Sequence, residues 1–339
     1  MAATTEITDP ARGTTRRSFI KLSAASLAAF GTYGLIEWAP RAEGKQFTID
    51  LFITEGDATM VDGKGVYVRT FSPKEGSVSL PGPLMLVAEG DELTISITNT
   101  LSAPHGFAIA GVVDSGPIEP GETKVLTFAA PAAGTYLYQD PVDVPFNRLL
   151  GLHGALVTMP ADGTSTPFPG GPQFTRQWVW VTENIDSVWC ERARRGGTTT
   201  LEEIVPDYFL INGRSGVDSV HDESITIQGK LYEPALVRIV NAGVATHAMH
   251  FHGNHLDVLR HNATPAPYAM RKDTIMMPGG YTKDALLPFT PPPDIWPPME
   301  QWGSELRLSY PMHCHAEMSQ TAGGGLYPNG MLAHWEIEK

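Results

Sequence analysis

The sequence predicts an all-β protein built as two β-sandwich domains in tandem, and three observations carry that prediction. Short alternating apolar and polar stretches recur along the chain, glycine- and proline-rich turns separate them, and the second half repeats the pattern of the first. The 339 residues suit about two domains, and 34 glycines with 28 prolines favour turns over long helices.

Residues 1–43 read as an address. Thr15-Arg16-Arg17-Ser18-Phe19-Ile20-Lys21 resembles a twin-arginine export signal, and the apolar run Leu22–Trp38 follows it. This predicts export to a periplasmic or extracellular location, with an uncleaved membrane tether as the alternative to removal. Residues 44–160 form the first predicted sandwich. Leu93–Asn99 alternates like a half-buried strand after the Gly90-Asp91-Glu92 turn, and Pro120-Gly121-Glu122 and Ala133-Gly134 turn into Val125–Phe128 and Thr135–Tyr138. A linker is predicted over 161–175, within the Pro-, Gly-, Ser- and Thr-rich stretch Pro160–Gly171. Residues 176–339 form the second sandwich, with strands at Gln177–Thr182, Tyr208–Gly213 and Ala235–Asn241 and a short helix near Asp186–Arg195. The net charge of −13 argues against nucleic acid or an anionic membrane surface as partner and favours small molecules or metal cations.

Two clusters carry the chemistry. His247, His250 and His252 fall in the pattern H-x-x-H-x-H-G, and His313-Cys314-His315 follows in the last quarter of the chain. Strand residues two apart share a face, so paired strands place four imidazoles on one side and leave Cys314 and His247 for the other. Thiolate with imidazole suits copper, and an imidazole group suits copper or zinc. The other cysteine, Cys190, is either a buried thiol or a disulfide partner for Cys314, and the two flanking histidines favour the ligand role for Cys314. The repeat adds a contrast. Asn99 precedes His105 by six residues, as Asn241 precedes His247. In that register His250 and His252 correspond to Ala108 and Ala110, and Met312–His315 corresponds to Tyr138–Pro141. The first sandwich keeps the scaffold and few ligands: His105, and His153 in Gly151–Ala155.

Leu210-Ile-Asn-Gly213, Asn241-Ala-Gly243, H-x-x-H-x-H-G and His-Cys-His together resemble the second-domain signatures of the two-domain multicopper oxidases (small laccases) and copper nitrite reductases. The resemblance implies two cupredoxin-like Greek-key sandwiches. It assigns His247 and Cys314 to a type 1 copper, with Met331 as axial ligand and Met318 or Gln320 as weaker stand-ins. It assigns His250, His252, His313 and His315 to the cluster where oxygen is reduced, and implies a homotrimer with that cluster at a subunit junction. The departures are specific. Where a second type 1 His belongs, the chain has Ser319 or Leu326, and the first domain has Ala108, Ala110, Gln139 and Pro141 at the facing ligand positions. A nitrite reductase would carry Cys, His and Met where Asp140, Asn147 and Leu152 stand. One or two coppers are expected rather than four, with His105 and His153 as secondary candidates to complete a site. The expected activity is electron transfer from a phenolic, organic or metal-ion donor to oxygen. The alternatives are a non-catalytic copper carrier, store or relay, and nitrite reduction as a minor one.

Overall fold

The computed structural model describes residues 30–31, 33–36, 44–293, 295–303 and 306–339. The twin-arginine motif Thr15–Lys21 lies outside them. The described residues form four sheets in two sandwiches. In the first, Gly65–Ser72, Gln46–Thr59, Glu92–Asn99 and Thr123–Ala129 lie side by side and face a sheet ordered Leu84–Ala88, His153–Met159, Gly134–Gln139, Ala108–Ile109, Val113–Asp114. In the second, a sheet running Tyr208–Ile211, Arg176–Ile185, Ala235–Asn241, Thr282–Leu287, Leu256–His261, Thr264–Lys272 faces one running Ile227–Lys230, Leu332–Glu338, Arg307–Cys314, His247–Phe251, Thr274–Met277.

The internal repeat is visible in strand direction and in side-chain bonding. Each sandwich has two parallel pairs: Gln46–Thr59 with Glu92–Asn99 and Leu84–Ala88 with His153–Met159, then Arg176–Ile185 with Ala235–Asn241 and Ile227–Lys230 with Leu332–Glu338. A tight hairpin cannot join parallel neighbours, so the chain crosses between sheets in each half. Both strand-end asparagines then pin the following turn. Asn99 Nδ2 donates to the Ala103 and Ile118 carbonyls at 2.8 and 2.9 Å while Oδ1 accepts from Leu101 N–H. Asn241 does the same with Ala245, Met277 and Gly243.

Burial follows from where each strand sits. Glu92–Asn99 has one covered face, so Leu93, Ile95 and Ile97 alternate with partly exposed residues. Ala235–Asn241 is buried throughout, which matches its unbroken apolar run. Val237 and Ile239 face the second core, while Leu236 and Val240 pack against Leu84, Val157 and Met159 of the first sandwich. In that seam the buried Arg238 donates to Gln177 Oε1 at 2.8 Å, Thr135 Oγ1 at 3.0 Å and Asp284 Oδ2 at 3.2 Å.

Residues 30–31 and 34–36, within the apolar run 22–38, also pair with the folded body. Phe30–Gly31 adds to Leu84–Ala88, Gly34–Ile36 adds to Arg176–Ile185, and the Tyr33 hydroxyl donates to the Gly82 carbonyl. Among the described residues no helix is long and apolar enough to cross a membrane. The helix near residue 186 runs Ser187–Arg194, with the Asp186 carboxylate capping the N–H groups of Val188 and Trp189.

Candidate metal centre

The site forms where His247–Phe251 and Arg307–Cys314 run antiparallel, with Met249 opposite Cys314 and His250 opposite His313. Strand alternation sends His247, Met249 and Phe251 into the core and turns His250 outward. Cys314 points inward between two outward histidines and is fully buried. The two sides of one strand pair therefore carry two different donor sets.

On the inner side, His247 Nδ1 lies 3.4 Å from Cys314 Sγ. The sulfur accepts N–H groups from Ala248 and Ala316, each at 3.4 Å. Burial pushes the His247 imidazole down to about 4, so it is neutral at pH 7, the form that binds a metal. Its Nε2 sits 2.9 Å from Asn184 Nδ2, and Asn184 Oδ1 accepts from Ala245 N–H at 2.8 Å. Asn184 was not legible as a site residue, because it belongs to a strand 63 residues upstream. Met331 is fully buried in the same core as Cys314, whereas Met318 is 51% exposed. Ser319 donates to the Ala316 carbonyl and Leu326 is exposed, so neither replaces the second imidazole.

On the outer side the four imidazoles gather as the spacing predicts. Ring centroids of His250 lie 4.6 Å from both His252 and His315, and His313 lies 5.1 Å from His315. His252 Nε2 and His313 Nε2 are 3.0 Å apart. Burial and the neighbouring rings hold the His250 and His313 imidazoles below their ordinary range. Thr274, opposite His250 in the next strand, lies 3.1 Å from its Nδ1, and Asp273 is 3.9 Å away. The Trp335 indole N–H donates to the His252 carbonyl at 2.7 Å and fixes the end of the strand.

The first sandwich closes its equivalent site with protein. Where the repeat would place Cys and His, Asp140 Oδ2 meets His105 Nδ1 at 2.6 Å, both fully buried. Asp140 Oδ1 also accepts N–H groups from Gly106 and Val142. Asn147 is held by Arg69 and the Val142 carbonyl, and Leu152 is packed in the core. His153 uses both ring nitrogens, Nδ1 with the Arg148 carbonyl and Nε2 with Glu183 Oε1, each at 2.8 Å. Within one chain neither His105 nor His153 joins the four-histidine face. Cys190 and Cys314 are both free thiols, and burial pushes the Cys190 thiol up to about 12.

Among the described residues no three His, Cys, Asp or Glu side chains are already arranged to hold one ion. The pairs nevertheless fit metal ligation. A thiolate and an imidazole each about 2.0–2.3 Å from one ion, at a near-tetrahedral angle, are separated by roughly the distance between Cys314 and His247. Two imidazole nitrogens binding one ion side by side are separated by about 3 Å, as in His252 and His313.

Sequence models described as multicopper oxidase match residues 76–162 and 199–327. The chain belongs to the multicopper oxidase family, with two cupredoxin-like sandwiches. It is 33% identical over 162 residues to a copper-containing nitrite reductase of Rhizobium sullae, covering 42% of each chain. It is 31% identical over 236 residues to laccase-7 of Arabidopsis thaliana, covering 62% of this chain and 39% of that one. It therefore spans less than half the length of either relative. The blue copper oxidase from Nitrosomonas europaea superposes with a TM-score of 0.70 at 22% identity over 86% of both chains, a likeness of fold.

Proposed function

We propose that this protein is a copper-dependent oxidoreductase that takes electrons from a phenolic, organic or metal-ion donor and passes them to oxygen. One observation carries the reading: the buried His247–Cys314 pair lies back to back with the four-imidazole face, and the backbone of Cys314 joins the two through His313 and His315. Copper bound to the thiolate and imidazole supplies one-electron redox chemistry. The chain's own contribution is positional. Asn184 fixes the His247 ring, the N–H groups of Ala248 and Ala316 point at the sulfur, and Met331 is buried in the same apolar core as Cys314. His252 and His315 are exposed, so solvent and small molecules reach the outer face.

The filled first-domain site favours one or two coppers per chain over four, and it supports a second reading, a non-catalytic copper carrier, store or relay. Nitrite reduction is disfavoured by Asp140, Asn147 and Leu152 at its expected ligand positions. We also propose export through the Thr15–Lys21 motif, tested by cell fractionation of wild type and Arg16→Lys/Arg17→Lys. A homotrimer that covers the exposed histidine face is tested by light scattering.

The deciding experiment measures copper per chain, visible absorption and oxygen uptake with a phenol and with cuprous ion, on wild type and Cys314→Ser. The oxidoreductase reading expects a thiolate-to-copper band and oxygen uptake in wild type, both lost in C314S. Copper binding and that band without oxygen uptake shift the assignment to the carrier or relay.

A further inference from the structure

A pocket opens where the first sandwich has lost its ligands. It encloses about 450 Å³, between Ala108–Ala110 and Gly134–Gln139 on one side and Asn262, Gly280 and Thr282 on the other. In the repeat register Ala108 and Ala110 stand where the second sandwich has His250 and His252, and two methyl groups in place of two imidazoles leave space.

The pocket contains a guanidinium without a counter-ion. Arg148 makes no ion pair among the described residues. Its Nη1 donates to Gln139 Oε1 at 3.2 Å, and its buried Nε has no partner. Burial without an acidic neighbour pushes the guanidinium down from its ordinary range. The charge presses on Gly280, where an added Cβ would lie 3.1 Å from Nη1, and φ of +79° at that position also favours glycine. The pocket's one carboxylate, Asp114, is exposed and accepts the Gly116 N–H. An uncompensated, partly buried cation is costly to maintain, and the chain has 37 acidic residues from which a partner could have been drawn.

We propose that this pocket binds a small organic carboxylate. The planar guanidinium fork matches a carboxylate through two parallel hydrogen bonds, and the Gln139 side-chain N–H₂ adds a donor beside it. Ile109, Leu137 and Val144 line the pocket and give an apolar body a surface to rest on. The pocket is lined by Ala108, Ala110, Gln139 and Pro141, the first-domain positions that would face a neighbour's histidine cluster in the proposed homotrimer, so the inference rests on that junction leaving the pocket open.

The test is isothermal titration of the copper-loaded full-length chain with benzoate, with inorganic phosphate and chloride in parallel. Saturable benzoate binding is expected, weakened at least about tenfold in Arg148→Met and less in Arg148→Lys, since a guanidinium carries the directional bonds. Ala110→Phe, which fills the pocket and leaves Arg148 in place, is expected to abolish binding; it keeps the test decisive if R148M misfolds. Benzoate binding unchanged in both R148M and A110F would place the anion elsewhere, the metal included, and overturn the proposal. So would no saturation up to about 10 mM. Phosphate binding as tightly as benzoate, with the same Arg148 dependence, would overturn the assignment to organic carboxylates.

Discussion

Asp140 Oδ2 lies 2.6 Å from His105 Nδ1, in the place within the first sandwich that the Cys314–His247 pair holds in the second. The same scaffold position has exchanged a thiolate–imidazole pair for a carboxylate–imidazole pair. Asp140 satisfies two backbone N–H groups as well as the ring, so the exchange leaves a fully bonded carboxylate in a buried place.

Asp140→Ala therefore strands three donors at once. A loss of about 2–4 kcal/mol in unfolding free energy is expected, from unsatisfied buried groups at roughly 1–3 kcal/mol each with partial rescue by water. Denaturant unfolding reads the loss, and copper content is measured beside it. An unchanged copper content identifies the pair as structural, whereas a lost copper would make His105 and Asp140 ligands.

Asn184 tests the inner site. Its amide holds His247 Nε2, and Gly243 makes room for it, since an added Cβ there would sit 2.1 Å from Asn184 Oδ1. Asn184→Leu is expected to weaken copper at the thiolate site by about 10–100-fold, the usual cost of removing a group that orients a ligand. Titration against a competing chelator, followed at the thiolate band, checks it. Gly243→Ala is expected to act in the same direction by displacing Asn184.

The seam between the sandwiches rests on Arg238 and Asp284, both buried. Arg260 Nε lies 4.0 Å from the same carboxylate, so removing Arg238 leaves Asp284 one weaker counter-charge, whereas removing Asp284 leaves two buried guanidiniums uncompensated. Asp284→Leu is expected to cost about 3–5 kcal/mol, and Arg238→Met added to it to recover part of that loss, because one guanidinium fewer is then left without a counter-charge. A double-mutant cycle in denaturant measures the difference. A double variant that loses as much as the sum of the two singles would show that the hydrogen bonds of Arg238 to Gln177 and Thr135, and not the ion pair, hold the seam.

Legibility in the sequence depended on whether a feature was local. H-x-x-H-x-H-G and His-Cys-His encode their own faces through strand alternation, so the split between outer imidazoles and the inner His247–Cys314 pair follows from spacing. The repeat from Asn99 to His105 and from Asn241 to His247 also held, because each asparagine bonds the turn that follows it. Asn184 beside His247, Glu183 beside His153 and Asp140 beside His105 were not legible. Each contact joins residues 30 to 63 apart in the chain, and no periodicity within a single strand encodes which buried polar residue will meet which ring. The strands Phe30–Gly31 and Gly34–Ile36 were obscured for a different reason. An apolar run beside a twin-arginine motif reads as a leader, yet the same composition suits an edge strand.

His247 gives the copper-free protein an acid-sensitive stability. Burial holds its folded value near 4, against about 6.5 in the unfolded chain. Between those values the unfolded state binds the proton and the folded state does not, so stability rises with pH across that window. The stabilisation is present above pH 6.5 and is lost as pH falls toward 4, with a span of roughly 3 kcal/mol at 1.36 kcal/mol per unit. Denaturant titrations of chelator-treated protein between pH 4 and 7 measure it, and His247→Gln, which does not titrate there, is expected to flatten that part of the profile. A slope unchanged in H247Q would assign the acid sensitivity to the other histidines held low by burial, His250, His261, His313 and His334.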